Sequence, residues 1–228
     1  MSPPAQPLKV LLAAHPNLDT LDLTGPLEIL SHATHPSTSP LKKAFTTTIT
    51  SASELTTAGQ GLTFQRNIPI TEADATLSDY DILVIPGGGS PGVLEGKTEP
   101  LHLIKAFVSL PKREDGRVRI LFSVCTGSLF LAEAGVLDGL TATTHPEYYG
   151  KLREILQAKG MGDRTTVVEE RFVVNKVDGE KGLRIVTAGG VSSGIDAALW
   201  LVGDLVGMES QEKVERIVQH AHRSGVVL

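Results

Sequence analysis

The stretch Val118-Arg119-Ile120-Leu121-Phe122-Ser123-Val124-Cys125-Thr126-Gly127-Ser128-Leu129-Phe130-Leu131-Ala132 decides the fold. Its first half is apolar without alternation, which suits a strand buried on both faces, and its second half turns through small residues straight into a helical segment. Cys125, the one cysteine in 228 residues, sits at the junction. A strand-to-helix elbow projects its central side chain beyond the sheet. The first free N–H groups of the helix favour thiolate over thiol, and such sites bring a cysteine to about 3.5–7.5. The competing reading is a buried structural cysteine, because free cysteine is among the most buried residue types.

Outward from this elbow the chain repeats the same grammar. Short runs rich in Val, Ile and Leu, each bounded by Gly, Pro, Asp or Ser, alternate with segments of helical period, the signature of an α/β fold. Strands are expected over 8–14, 44–50, 81–85, 118–124, 141–144 and 183–187, with a short hairpin arm at 61–65 and strands joined around Glu170-Arg171 within 166–177. Helices are expected through Leu27, Ile29 and Leu30, over 101–110, from the cysteine turn through Glu133, and over 147–159, 193–206 and 211–222. The turn-rich stretches 35–43, punctuated by Pro36 and Pro40, and 112–116 read as surface loops. No linker or repeat divides the series, so residues 1–228 read as a single domain, with 1–7 a flexible N-terminal extension.

Composition excludes several function classes. With 41% hydrophobic residues the chain can bury a full core, and a net charge of -5 without a basic stripe argues against a nucleic-acid binder. A lone cysteine rules out an intrachain disulfide framework and suits a reducing compartment. The N-terminus lacks a basic leader, and the apolar run after Lys9 is too short for a membrane span, so a soluble cytoplasmic protein is expected.

Other motifs bear on chemistry. Gly87-Gly88-Gly89-Ser90-Pro91-Gly92 formally fits a dinucleotide fingerprint, but Pro91 interrupts what should be the opening turn of a helix. A glycine turn that aims backbone N–H groups at a small ligand, as half of an oxyanion hole, fits better; a plain tight turn is the alternative. Asp22, in Leu21-Asp22-Leu23-Thr24-Gly25-Pro26, is either a helix cap or a proton donor or base near the thiol. His145 follows a strand end and either orients the thiol or satisfies a local hydrogen bond. His220 and His222 face different ways on the expected helix, and His32 and His35 lack acidic companions, so no metal site is expected.

Several of these motifs, in order, resemble the ThiJ/PfpI superfamily, whose domains are class I glutamine amidotransferase-like. They are Leu21-Asp22-Leu23-Thr24-Gly25-Pro26, Ile85-Pro86-Gly87-Gly88-Gly89, Ser123-Val124-Cys125-Thr126-Gly127-Ser128, the segments 132–139 and 142–145, and Ala188-Gly189-Gly190-Val191-Ser192-Ser193-Gly194-Ile195-Asp196. The likeness is greatest to the isocyanide hydratase branch. It implies a flavodoxin-like three-layer α/β sandwich with a mostly parallel central sheet, a cysteine nucleophile elbow and a homodimer. Carried over by motif, Cys125 is the nucleophile, Asp22 the facing carboxylate, and the N–H groups of Gly88 and Thr126 the anion pocket. Thr126 stands where the protease and glyoxalase-like branches place His, which lowers those activities in rank. The related regulators fuse this domain to a helix-turn-helix, and this chain stops at Leu228 before such a module.

The resemblance implies hydration of an isocyanide to an N-substituted formamide. Cys125 attacks the terminal carbon to give a thioimidate while nitrogen accepts a proton that Asp22 supplies or relays. No cofactor or metal is needed, and Leu21, Leu23 and Val191 are expected to line the substrate pocket. The alternatives are a glyoxalase or deglycase acting on α-oxoaldehydes, for which His145 is the candidate base, and a non-enzymatic sensor whose Cys125 is oxidised.

Overall fold

The structure, a computed structural model, describes residues 6–36 and 42–228. The main sheet is built from Leu8–Ala13 (β1), Phe45–Ser51 (β2), Ile68–Pro69 (β3), Ile82–Ile85 (β4), Arg119–Val124 (β5), Phe172–Val174 (β6), Leu183–Ala188 (β7) and Val226–Val227 (β8). Their order is β8-β6-β7-β5-β4-β1-β2-β3, and every pairing is parallel except β6 with β7. The helices are Thr20–His32 (α1), Ile70–Ala75 (α2), Ser90–Gly96 (α3), Leu101–Ser109 (α4), Gly127–Glu133 (α5), Tyr149–Ala158 (α6), Ser193–Leu205 (α7) and Met208–Val218 (α8).

Alternate residues of the central strands feed opposite faces. Val10, Leu12, Ile82, Val84, Ile120 and Phe122 pack with Leu23, Ile29 and Leu30 of α1, Leu199 and Leu201 of α7, and Val214 of α8. Leu11, Ala13, Leu83, Ile85 and Leu121 pack with Leu103 and Phe107 of α4, Leu129 and Leu131 of α5, and Leu152 of α6. Helices on both faces of a parallel sheet require strands apolar on both sides, which is why these runs read as continuous. Among the described residues, no helix is long and apolar enough to cross a membrane.

The structure corrects several boundaries. Helix α3 does open at the glycine turn, because Pro91 stands in its first turn, where the missing N–H leaves no bond unmade. Thr34–His35 and Lys42–Lys43 form a two-stranded pair within the expected 35–43 loop, while Pro40 and residues 1–5 of the expected N-terminal extension lie outside the described residues. Thr166–Val167 pairs with Thr141–Ala142 apart from the main sheet, whereas β6 joins the sheet itself. Helix α8 ends at Val218, with Gln219 left-handed at φ 51, so His220 and His222 are not helical. His32 does have an acidic companion, Glu28, at 2.9 Å.

Beyond α8 the chain is tied back by one buried carboxylate. Asp196 of α7 is fully buried; one oxygen accepts Arg171 Nε, and the other accepts the Arg223 backbone N–H at 2.9 Å and meets His220 Nε2 at 2.8 Å. Arg171 also donates to Ser192 Oγ at 2.9 Å, joining the β7–α7 loop to the same cluster. Removing the carboxylate leaves a guanidinium and two further donors without their acceptor. Asp196→Ala is therefore expected to cost about 3 kcal/mol. Urea unfolding at constant m-value measures the loss, and a change below about 1 kcal/mol contradicts it.

Candidate active site

Three central strands end at one place. The chain leaves β1 at Ala14-His15, β4 at Pro86-Gly87 and β5 at Cys125, on the carboxyl side of a parallel sheet and beside the position where strand order reverses, the usual ligand crevice of such sheets.

Cys125 is the elbow. Its φ of 57 lies in the left-handed region that a side chain disfavours. The conformation is held from several directions. The Cys125 N–H is shared between the carbonyls of Ala188 and Gly189 at 3.1 and 2.8 Å, and its carbonyl accepts from Ser128 Oγ and Thr144 Oγ1 at 3.2 and 3.1 Å. A strained residue persists only where its surroundings over-determine it.

Asp22 is not a cap. Asp19 holds that role, its Oδ1 accepting the Leu21 N–H at 3.0 Å, which leaves Asp22, in the first turn of α1, with no solvent exposure. Asp22 Oδ2 accepts the Gly87 N–H at 3.1 Å, and Oδ1 has no closed hydrogen bond among the described residues. The thiol of Cys125 stands beside this carboxyl, and each shifts the acidity of the other. Burial, and then the neighbouring Asp19 charge, push Asp22 up to about 7 from 3.8, against the opposing pull of the Gly87 N–H and of Cys125. Burial, and then the Asp22 charge, push Cys125 up to about 12, opposed by the N–H groups of Thr126 and Val191 that face the sulfur.

Against the expected thiolate at neutral pH, burial and the Asp22 charge favour the protonated thiol. A seven-residue helix and two backbone N–H groups do not outweigh burial beside a carboxylate. With these values the pair holds two protons below about 7 and one above it.

The glycine turn serves this pair differently from expectation. Gly88 N–H is not free for an anion, because it donates to Thr126 Oγ1 at 2.9 Å; Val191, which sequence reading did not place there, supplies the second N–H beside Thr126. Gly87 must be glycine, since a Cβ there would stand 2.5 Å from Thr126 N and 2.9 Å from Asp22 Oδ2. Cys125, Thr126, Gly88, Val191, Tyr148 and His145 border an open cleft of about 260 Å³. His145 lies on its wall, where Nδ1 accepts the Glu147 N–H at 3.3 Å and the ring meets Tyr148 edge-on; it makes no hydrogen bond to Cys125 among the described residues. Of the expected lining, Val191 borders the cleft, while Leu23 is in the core and Leu21 faces a different cleft between α1 and α7. Asp19, Thr144 and Ser128 were missed, and only the Asp19-x-Leu21 capping pattern could have flagged any of them.

Residues 8–203 match the model of the DJ-1/PfpI family. An isonitrile hydratase of Pseudomonas putida is 28% identical over 224 residues, 94% of this chain and 79% of that protein. Among solved structures, a ThiJ/PfpI family protein of Pseudomonas syringae superposes with a TM-score of 0.71 at 22% identity, over 96% of this chain and 77% of that one. Drosophila melanogaster DJ-1beta superposes with a TM-score of 0.70 at 17% identity, over 95% of this chain and all of that one. Both likenesses are of fold.

The raised Asp22 value has a consequence for stability. Between 3.8 and about 7 the folded protein binds more protons than the unfolded chain, so this contribution is complete below 3.8 and is lost as pH rises through about 7. An amide has no such loss. The melting temperature of Asp22→Asn should therefore gain on wild type between about pH 4 and about pH 8, and a difference that stays constant across that range contradicts a buried, proton-sharing carboxyl.

Proposed function

The chain belongs to the DJ-1/PfpI family, and we propose that within it this protein hydrates isocyanides to N-substituted formamides, with Cys125 as nucleophile and Asp22 as the proton carrier. The observation that carries the reading is the buried Asp22 carboxyl set beside the Cys125 thiol at the foot of a small cleft.

Balancing the reaction revises the order of proton transfers. The terminal carbon of R–N≡C bears a lone pair, so the first proton goes to carbon and not to nitrogen. The sulfur–carbon bond forms as the pair's proton reaches that carbon, giving R–N=CH–S–Cys125 and leaving Asp22 ionised. Asp22 then takes a proton from water as the water oxygen bonds to the same carbon, and nitrogen takes that proton, giving R–NH–CH(OH)–S–Cys125. Breaking the carbon–sulfur bond releases R–NH–CHO, and the hydroxyl proton returns through Asp22 to the pair. The N–H groups of Thr126 and Val191 support the sulfur as it gains and loses negative charge.

A second reading is favoured by one observation. A hemithioacetal route from an α-oxoaldehyde needs a base of near-neutral value, and Asp22 at about 7 meets that need without His145. Formamide production from alkyl and aryl isocyanides, measured beside methylglyoxal consumption, separates the two. The expected result is a higher kcat/KM for at least one isocyanide, with activity abolished in Cys125→Ala and kcat reduced about 100-fold or more in Asp22→Asn. A higher constant for methylglyoxal than for every isocyanide overturns the assignment.

The proposal includes a homodimer. Leu21, 38% exposed, borders with Gly25, Ile195 and Val218 a shallow cleft of about 330 Å³ over α1 and α7, an apolar strip rimmed by Thr24, Glu28, Gln219 and His220 that suits a two-fold contact. Sedimentation at micromolar concentration is expected to give a dimer that Leu21→Glu dissociates; a wild-type monomer counts against it.

A further inference from the structure

His15 is 1% exposed and lies two residues beyond the end of β1, yet no step above uses it. Its ring meets Phe130 edge-on at 5.2 Å, and both of its nitrogens face carbonyl oxygens: Nδ1 stands 3.1 Å from Pro16 O and Nε2 stands 3.2 Å from Pro86 O. Burial holds the imidazole below 6.5, with the two carbonyls opposing that shift, so it carries one N–H. That hydrogen can serve only one of the two oxygens.

The surroundings decide which. Pro16 is an exposed residue, whereas Pro86 is buried and no other group among the described residues donates to its oxygen. A buried carbonyl left without a donor is costly, so the proton belongs on Nε2. The peptide that accepts it is the Pro86–Gly87 peptide, whose own N–H donates to Asp22 Oδ2 at 3.1 Å. Donation to the oxygen of a peptide strengthens donation by its N–H. We propose that His15 is a positioning residue for the active site: through the Pro86–Gly87 peptide its Nε2–H holds the Asp22 carboxylate and so sets where the proton of the Asp22–Cys125 pair rests.

The other groups acting on the relay are few. Asp22 faces Asp19, the Cys125 thiol and the Gly87 N–H, and among the described residues no charged side chain acts on His15. The inference concerns the pair itself and holds whichever substrate enters the cleft. Its readout is therefore alkylation of Cys125 by iodoacetamide, which needs no isocyanide and stands even if the substrate assignment fails.

His15→Phe keeps an edge against Phe130 and removes the donor. Weakening the hold on the Asp22 carboxylate moves the proton from sulfur toward Asp22. The alkylation profile should then show its acid midpoint raised by about half a unit and its plateau raised about threefold, with the rate far below the midpoint unchanged. His15→Gln, which can still donate, should restore most of the wild-type profile. An unshifted midpoint in folded His15→Phe, or an equal shift in His15→Gln, overturns the proposal. Should either variant fail to fold, imidazole nitrogen NMR of the wild-type protein decides: Nε2 bearing the proton is expected, and an unprotonated Nε2 overturns it.

Discussion

A fully buried carboxyl stands beside the thiol of the elbow, and most of the local architecture follows from that constraint. An ionised carboxyl without solvent is stable only where backbone donors replace water, so Asp22 requires the Gly87 N–H, and the close approach of that strand end requires a residue without a Cβ. Fixing Asp22 at depth in turn requires another residue to cap α1. Asp19 does this, while its own charge adds to the pressure that raises Asp22 toward neutrality. Capping, glycine placement and acidity are thus one arrangement, and altering any of them changes the proton's position.

The elbow meets the same constraint from the other side. A left-handed cysteine costs on the order of 1–3 kcal/mol, offset by bonds from β7, the Gly189 loop, Ser128 and Thr144. The strain aims the sulfur at the carboxyl and at the Thr126 and Val191 amides together, which an unstrained strand end would not do. The Val191 loop is itself anchored through Ser192 and Arg171 to buried Asp196, so the polar cluster that ties down the C-terminal segment also fixes one wall of the cleft.

What the sequence disclosed divides along physical lines. The central strands were legible because burial on both faces forces an unbroken apolar run, as at 81–85 and 118–124, and the elbow was legible because small residues follow that run directly. Helix α3 was hidden by reading Pro91 as a breaker, though proline suits a first turn. Strand β8 is two residues long, too short for any period to show. At the site, residue types pointed to Cys125 and Asp22, but which amide serves which acceptor depends on tertiary approach. Gly88 therefore gives way to Val191 beside the sulfur, and His15, which reads as part of a turn, emerges beneath the carboxyl only once β1 and β4 are adjacent.

The charge economy of the pair also bears on what can enter the cleft. Above about 7 the Asp22 carboxyl is ionised beside the thiol, so the foot of the cleft carries negative charge, and Asp19 lies on the cleft wall. An anionic substrate would have to approach this charge without a compensating cation, since among the described residues no lysine or arginine borders the cleft. A neutral molecule escapes that penalty, and one whose reacting carbon can take both a proton and sulfur uses the pair in its resting form without a prior deprotonation. In the proposed reaction the Thr126 and Val191 amides matter most when the sulfur departs, because only at that step does negative charge return to a buried atom whose carboxyl neighbour disfavours it.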